Sequence, residues 1–90
     1  MLEKEIEKYL REQVKLRGGI AYKFTSPGNV GVPDRLVLLP NGKIIFIELK
    51  APGKKTSKVQ DLQIARIRKL GFKVFVLDSK EKIEEVLSGI

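Results

Sequence analysis

The chain has no cysteine and no histidine. The first absence excludes disulfides and thiolate nucleophiles. The second removes histidine-based acid–base catalysis, and with both gone the usual zinc sites are out. Long apolar runs are missing too, so no membrane partner or membrane-spanning segment is expected. Met1-Leu2-Glu3-Lys4-Glu5 is not followed by the apolar core of a secretory signal, and a cytoplasmic location is expected. Acidic residues are in the minority, 11 Asp+Glu against 18 Lys+Arg, for a formal charge of +7 on 90 residues. That excess favours a polyanionic partner, nucleic acid ahead of a membrane surface. A chain of this length makes one domain, residues 1–90, whose modest core would gain from self-association.

What is present reads as alternating helices and strands. Leu2, Ile6, Tyr9, Leu10 and Val14 recur at three- and four-residue spacing and predict a helix over 2–17, stopped by Gly18-Gly19. Residues 20–24 are a short strand, and 26–33 a loop punctuated by glycine and proline. Strands over 35–39 and 44–49 flank Pro40-Asn41-Gly42-Lys43, where Asn-Gly signals a hairpin. Ser57 with Gln60 forms a capping box for a helix whose apolar side is expected at Val59, Leu62, Ile67 and Leu70, ending at Gly71. A strand over 72–77 follows. Asp78 or Ser79 then caps a last helix that turns Ile83, Val86 and Leu87 inward. The order is α-β-β-β-α-β-α, an α/β mixed sheet with packed helices and a right-handed parallel crossover between the strands at 44–49 and 72–77.

The chemistry gathers at Val32-Pro33-Asp34-Arg35 and Ile47-Glu48-Leu49-Lys50. Strand alternation points Glu48 and Lys50 to one face, with Ile47 and Leu49 on the other. The hairpin brings Asp34 back beside positions 48–50. Asp34 and Glu48 can then share one hard cation, Mg²⁺ or Mn²⁺, with the backbone carbonyl of Leu49 as a further oxygen ligand. Such a cation offsets charge developing on a phosphate and lowers the pKa of a water. Lys50 would orient the nucleophile and stabilise the transition state. The pattern points to phosphodiester hydrolysis leaving a 5′-phosphate. On spacing alone it equally describes a surface Glu48–Lys50 ion pair with Asp34 in a turn.

Three blocks carry a family resemblance: Gly31-Val32-Pro33-Asp34-Arg35-Leu36, then Phe46-Ile47-Glu48-Leu49-Lys50-Ala51-Pro52-Gly53, then Ser57 with Gln60. Together they resemble the VRR-NUC branch of the PD-(D/E)xK nuclease superfamily, over essentially the whole chain. The resemblance implies a restriction-endonuclease-like fold. It makes Asp34 and Glu48 the metal carboxylates and Lys50 the catalytic lysine. Gln60 becomes a motif glutamine that could bridge a carboxylate or a water. Family members also carry an acid on the first helix. Glu3 and Glu7 share a face there, and Glu7, deeper in the helix, is preferred. The chain resembles the stand-alone phage and bacterial form, which is similar to Holliday-junction resolvases. This implies a homodimeric, metal-dependent endonuclease acting on branched DNA in a bacterial host cell.

Lys54, Lys55 and Lys58 follow the active strand and, with Arg35 and Lys23, are candidates for backbone phosphates. Arg66, Arg68 and Lys69 are further basic positions. Tyr22 and Phe24 could stack on a base, but core packing is favoured. With both later helices needed for the core, a dimer contact would fall to Ile64, Phe75 or Ile90. The competing readings are a nuclease for flaps or single strands, and a DNA-binding module that keeps the fold without catalysis.

Overall fold

Ile6, Leu10 and Val14 fall on one line of the first helix, and all three are fully buried. In the computed structural model, which describes residues 1–90, that helix is α1, Glu3–Leu16. Leu2 is not part of the buried line; it is the exposed N-cap residue and makes no side-chain cap bond. Gly18, at φ +81°, turns the chain out of the helix. Gly19 then passes so close to the sheet that a Cβ there would sit 2.4 Å from the Leu38 carbonyl oxygen.

The strands are β1 (Ile20–Lys23), β2 (Arg35–Leu39), β3 (Lys43–Leu49) and β4 (Lys73–Leu77), in the order β1-β2-β3-β4. β1 pairs antiparallel with β2, β2 antiparallel with β3, and β3 parallel with β4. The β2–β3 turn holds Asn41 and Gly42 at positive φ, 67° and 73°, as the Asn-Gly signal requires. Helix α2 (Lys58–Lys69) makes the parallel crossover, and α3 (Lys80–Ser88) closes the chain. Both are capped by serine: Ser57 forms the full capping box with Gln60, and Ser79 accepts from the Lys82 N–H. No helix is long and apolar enough to cross a membrane.

The core lies between one sheet face and the pair α1 and α3. Val37, Ile45, Ile47, Leu49 and Leu77 meet Ile6, Leu10, Val14, Ile83 and Leu87 there. Each such side chain contributes about 1.5–3 kcal/mol by leaving water. Polar contacts fasten the same two helices. The Tyr9 hydroxyl donates to Glu84 (2.8 Å), Arg17 pairs with the same carboxylate (3.1 Å), and Lys80 sits over the Tyr9 ring.

The other face is covered differently from what the sequence pattern predicts. On α2 the buried residue is Ile64, with Ile67 half-buried, whereas Val59, Leu62 and Leu70 are exposed. The helix is rotated so that Gln60, Ile64 and Ile67 meet the sheet and the Arg68 guanidinium donates to the Val74 carbonyl (2.6 Å). Ile64 is therefore no dimer contact. Phe75 and Ile90 are not free for one either, since both pack against the α1–α3 core. Tyr22 is half-exposed rather than in the core. Phe24, Phe46 and Phe72 run edge-to-face across this side, with centroids 5.7 and 6.0 Å apart.

The loop before β2 is wedged on α2 at Gly31. Its φ is +92°, and a Cβ there would meet the Val59 Cγ1 at 2.7 Å and the Val59 backbone at 2.9 Å. Strain and clash act together, so Gly31→Ala should lower stability by about 1–3 kcal/mol. Urea unfolding of the two proteins measures this directly; an unchanged midpoint would mean that the loop is not seated on the helix.

Candidate active site

β2 and β3 pair as far as Arg35 and Ile47, and the next step places Asp34 opposite Glu48. Asp34 is held there because the Phe24 N–H donates to its carbonyl oxygen at 2.8 Å. Two further bonds cross between the strands. The Asp34 N–H donates to Glu48 Oε1 and the Leu49 N–H donates to Asp34 Oδ1, each at 3.2 Å. The side-chain carboxylates thus take the place of backbone acceptors.

Glu48 is only 4% exposed and is a charged group in an otherwise apolar strand. A buried carboxylate needs partners, and Glu48 has them. Its Oε2 accepts from Gln60 Nε2 at 3.1 Å and lies 3.2 Å from Lys50 Nζ. Gln60 has two jobs: its Oε1 accepts from the Ser57 N–H as half of the capping box, and its Nε2 holds Glu48. The structure therefore brings Asp34, Glu48, Lys50 and Gln60 together at the carboxyl end of β3.

Asp34 is the strained member electrostatically. Burial first, and the neighbouring Glu48 second, push its pKa up from the ordinary 3.8 to about 6, against the lowering effect of the Leu49 N–H and of Arg35. Two carboxylates facing each other with incomplete compensation is a setting that a hard cation relieves. No group of three or more Asp, Glu, His or Cys side chains stands ready as a protein cage. The donor set nonetheless fits Mg²⁺, which is commonly held by one or two carboxylates with waters and substrate phosphates completing the shell. A strand residue turns its N–H and C=O to the same side. Since the Leu49 N–H meets Asp34, its carbonyl faces that side too.

Arg35 and Glu7 are placed otherwise. Arg35 pairs across from Ile47, on the core side of the sheet, and is 8% exposed. Its Nη2 lies 3.3 Å from Glu7 Oε1 and its Nη1 donates to the Ala21 carbonyl. Arg35 is consequently no surface contact for a phosphate, because strand alternation turns it inward. Glu7 is the first-helix acid that approaches the site; Glu3 is exposed. Glu7 reaches the site through Arg35, on the face opposite Glu48, and its charge adds to the pressure on Asp34.

Lys54, Lys55 and Lys58 are exposed on the loop and first turn after β3, and Lys23 is exposed at the end of β1. Lys54 and Lys55 line a cleft of about 370 Å³ beside the carboxyl end of β4, together with Thr56, Asp61, Val76, Asp78 and Lys82. Lys82 has no counterpart among the sequence candidates. It pairs with Asp78 at 2.8 Å, and the Gly53 N–H donates to the same carboxylate. The i,i+4 spacing of Asp78 and Lys82 was a visible signal for the pair; the cleft was not.

Comparison with known proteins adds three findings. The profile of the VRR-NUC domain matches residues 5–81, a span that holds Glu7, Asp34, Glu48, Lys50 and Gln60. A protein of Acyrthosiphon pisum secondary endosymbiont phage 1, named "Putative nuclease p44", is 60% identical over 79 residues, 88% of this chain and 85% of that one. A solved structure described as a VRR_NUC domain superposes with a TM-score of 0.91 at 34% identity, covering 96% of this chain and 94% of the other.

The raised pKa of Asp34 has a stability consequence. Its folded value, about 6, lies above the unfolded one. Its favourable contribution is therefore complete below the unfolded pKa and is lost as pH rises through 6. In chelator at pH 7.5, Asp34→Asn should thus be more stable than the parent protein, by about 1–2 kcal/mol after allowing for solvent screening. The advantage should shrink as pH falls toward 4. Thermal melts across pH test it, and a variant less stable at pH 7.5 would show that the carboxylate is better compensated than this geometry implies.

Proposed function

This chain belongs to the VRR-NUC domain family, and from that membership we propose that it is a DNA endonuclease using Mg²⁺ or Mn²⁺ at Asp34 and Glu48. The observation that carries this is the interlock of Asp34, Glu48, Lys50 and Gln60 at one strand end. Asp34 and Glu48 would hold the metal, with the Leu49 carbonyl as a third protein oxygen. When bound, the metal neutralises charge on a phosphate oxygen and acidifies a water.

The chain's own residues do the positioning. Gln60 fixes the rotamer of Glu48. Lys50, with its side chain only 17% exposed, keeps an ammonium beside that carboxylate, where charge on the scissile phosphate develops. Glu7 balances Arg35 and so steadies the start of β2 next to Asp34. Lys54, Lys55, Lys58 and Lys23 supply phosphate contacts, which set position on the nucleic acid without reading its sequence. A contact set of that kind selects shape, which favours branched DNA such as a four-way junction and, with two copies acting together, paired cuts leaving 5′-phosphates.

Cleavage of end-labelled four-way junction, flap, duplex and single-stranded DNA, with Mg²⁺, Mn²⁺ or EDTA, tests the proposal. Metal-dependent symmetric junction cuts are expected, with Lys50→Ala slowed about 10²–10³-fold while its far-UV spectrum is kept. Cutting confined to flaps or single strands would retain the site and discard the junction role. No cutting of any substrate would point to a binding module.

The two jobs of Gln60 can be separated. Ser57→Ala removes only the helix cap and should cost about 1 kcal/mol of stability. Gln60→Ala removes the cap partner and the hold on Glu48, so its cleavage rate should fall at least tenfold below that of Ser57→Ala. Equal rates in the two variants would reduce Gln60 to a capping residue.

A further inference from the structure

The sheet face opposite α1 and α3 is apolar and largely bare. Strand register sets two rows across it: Ile20, Leu38 and Ile44, and Tyr22, Leu36 and Phe46. None of these six is charged. α2 packs on β4 and leaves the β1 side open, so Ile20 and Tyr22 are 50% and 51% exposed. α2 borders the rows with an apolar stripe of its own. Val59 abuts Gly31 and Gln63 donates to the Val30 carbonyl, so that side of the helix faces the β1–β2 loop. Leu62 and the 77%-exposed Leu70 continue the stripe.

The exposed parts of Ile20, Tyr22, Ile44, Leu62, Leu70 and Phe72 leave on the order of 600 Å² of apolar side chain in water, the upper end for a monomer's largest patch and close to the ~800 Å² that each partner gives a standard interface. We propose that this face is where two copies of the chain pack against each other, in a two-fold, self-complementary contact. Nucleic acid is the poorer occupant. Its footprint needs lysine or arginine, and the two rows hold neither. Each copy carries +7, so the uncharged face is also where two copies repel least.

Glu48 lies on the same face, two residues beyond Phe46, which puts each carboxylate cluster at the rim of the contact. Two sites on the rim of one interface can reach two strands of one substrate. That consequence rests on the nuclease reading; the contact itself does not.

The test is solution mass by light scattering or sedimentation across the micromolar range, without DNA. The parent protein should give twice the 10.2 kDa chain mass, and added salt should tighten the pair by screening like charge. Tyr22→Lys and Leu70→Lys each should raise the dissociation constant at least tenfold, with thermal midpoint and far-UV spectrum unchanged. Leu62→Lys, on the solvent side of α2, serves if either fails to fold. A parent protein that is monomeric throughout, or a dimer indifferent to all three substitutions, would overturn the proposal. A monomeric parent whose variants lose DNA binding would assign the face to exposed bases instead. Cleavage is scored separately: a monomeric variant that still nicks keeps the nuclease reading, and an inactive parent leaves the mass measurement valid.

Discussion

Two crossed hydrogen bonds, Asp34 N–H to Glu48 and Leu49 N–H to Asp34, are the constraint on which the rest of the site depends. They stand where the β2–β3 ladder would take its next rung, and they work only in one register. A slip of one residue would turn Glu48 toward α1 and push Ile47 toward water. The register is secured elsewhere, by the Asn41-Gly42 turn at one end and by Ile45, Ile47 and Leu49 in the core. Core packing on one face of β3 therefore sets the chemistry on the other. The alternation of a single strand makes that coupling unavoidable.

Charge explains the shape of the site. The chain is strongly basic, yet three carboxylates, Glu7, Asp34 and Glu48, converge with only Lys50 and Arg35 between them. The two cations are divided by the sheet. Lys50 serves Glu48 on the open face, and Arg35 serves Glu7 on the buried face. Asp34, between them, accepts a backbone N–H but has no cation within salt-bridge distance, and its pKa records this. The global field draws a polyanion, while the local deficit favours a small hard cation. The two do not conflict because one acts over the whole surface and the other over a few ångströms.

What was legible in the sequence was whatever local signals determine. The strand ends, the Asn-Gly turn, the Ser57–Gln60 capping box and the pairing of Asp34 with Glu48 follow from spacing within a hairpin or a helical turn. Arg35 was misread although its signal was present: it shares strand parity with the buried Val37, and so faces inward. Its partner was not readable, since the approach of Glu7 depends on how α1 crosses the sheet. Glu7 itself was distinguishable from Glu3 only by its depth in the helix. The face of α2 could not be read at all from periodicity, because Val59, Leu62 and Leu70 repeat at helical spacing just as Ile64 and Ile67 do.

Energies decide between those two stripes. Rotating α2 to bury Val59, Leu62 and Leu70 would expose Ile64 and Ile67, a net gain of about one aliphatic side chain, roughly 1.5–3 kcal/mol. The same rotation would remove Gln60 from Glu48 and Arg68 from the Val74 carbonyl, two hydrogen bonds involving charged groups at about 1.5–3 kcal/mol each. It would also leave Glu48 buried with one partner fewer, a further cost of several kcal/mol. The polar contacts win, so the helix is oriented by the site rather than by its own most apolar side. The exposed stripe is then the direct consequence of placing a buried carboxylate under a helix in a chain with little core to spare. Self-association can restore that lost burial without disturbing the contacts of Gln60.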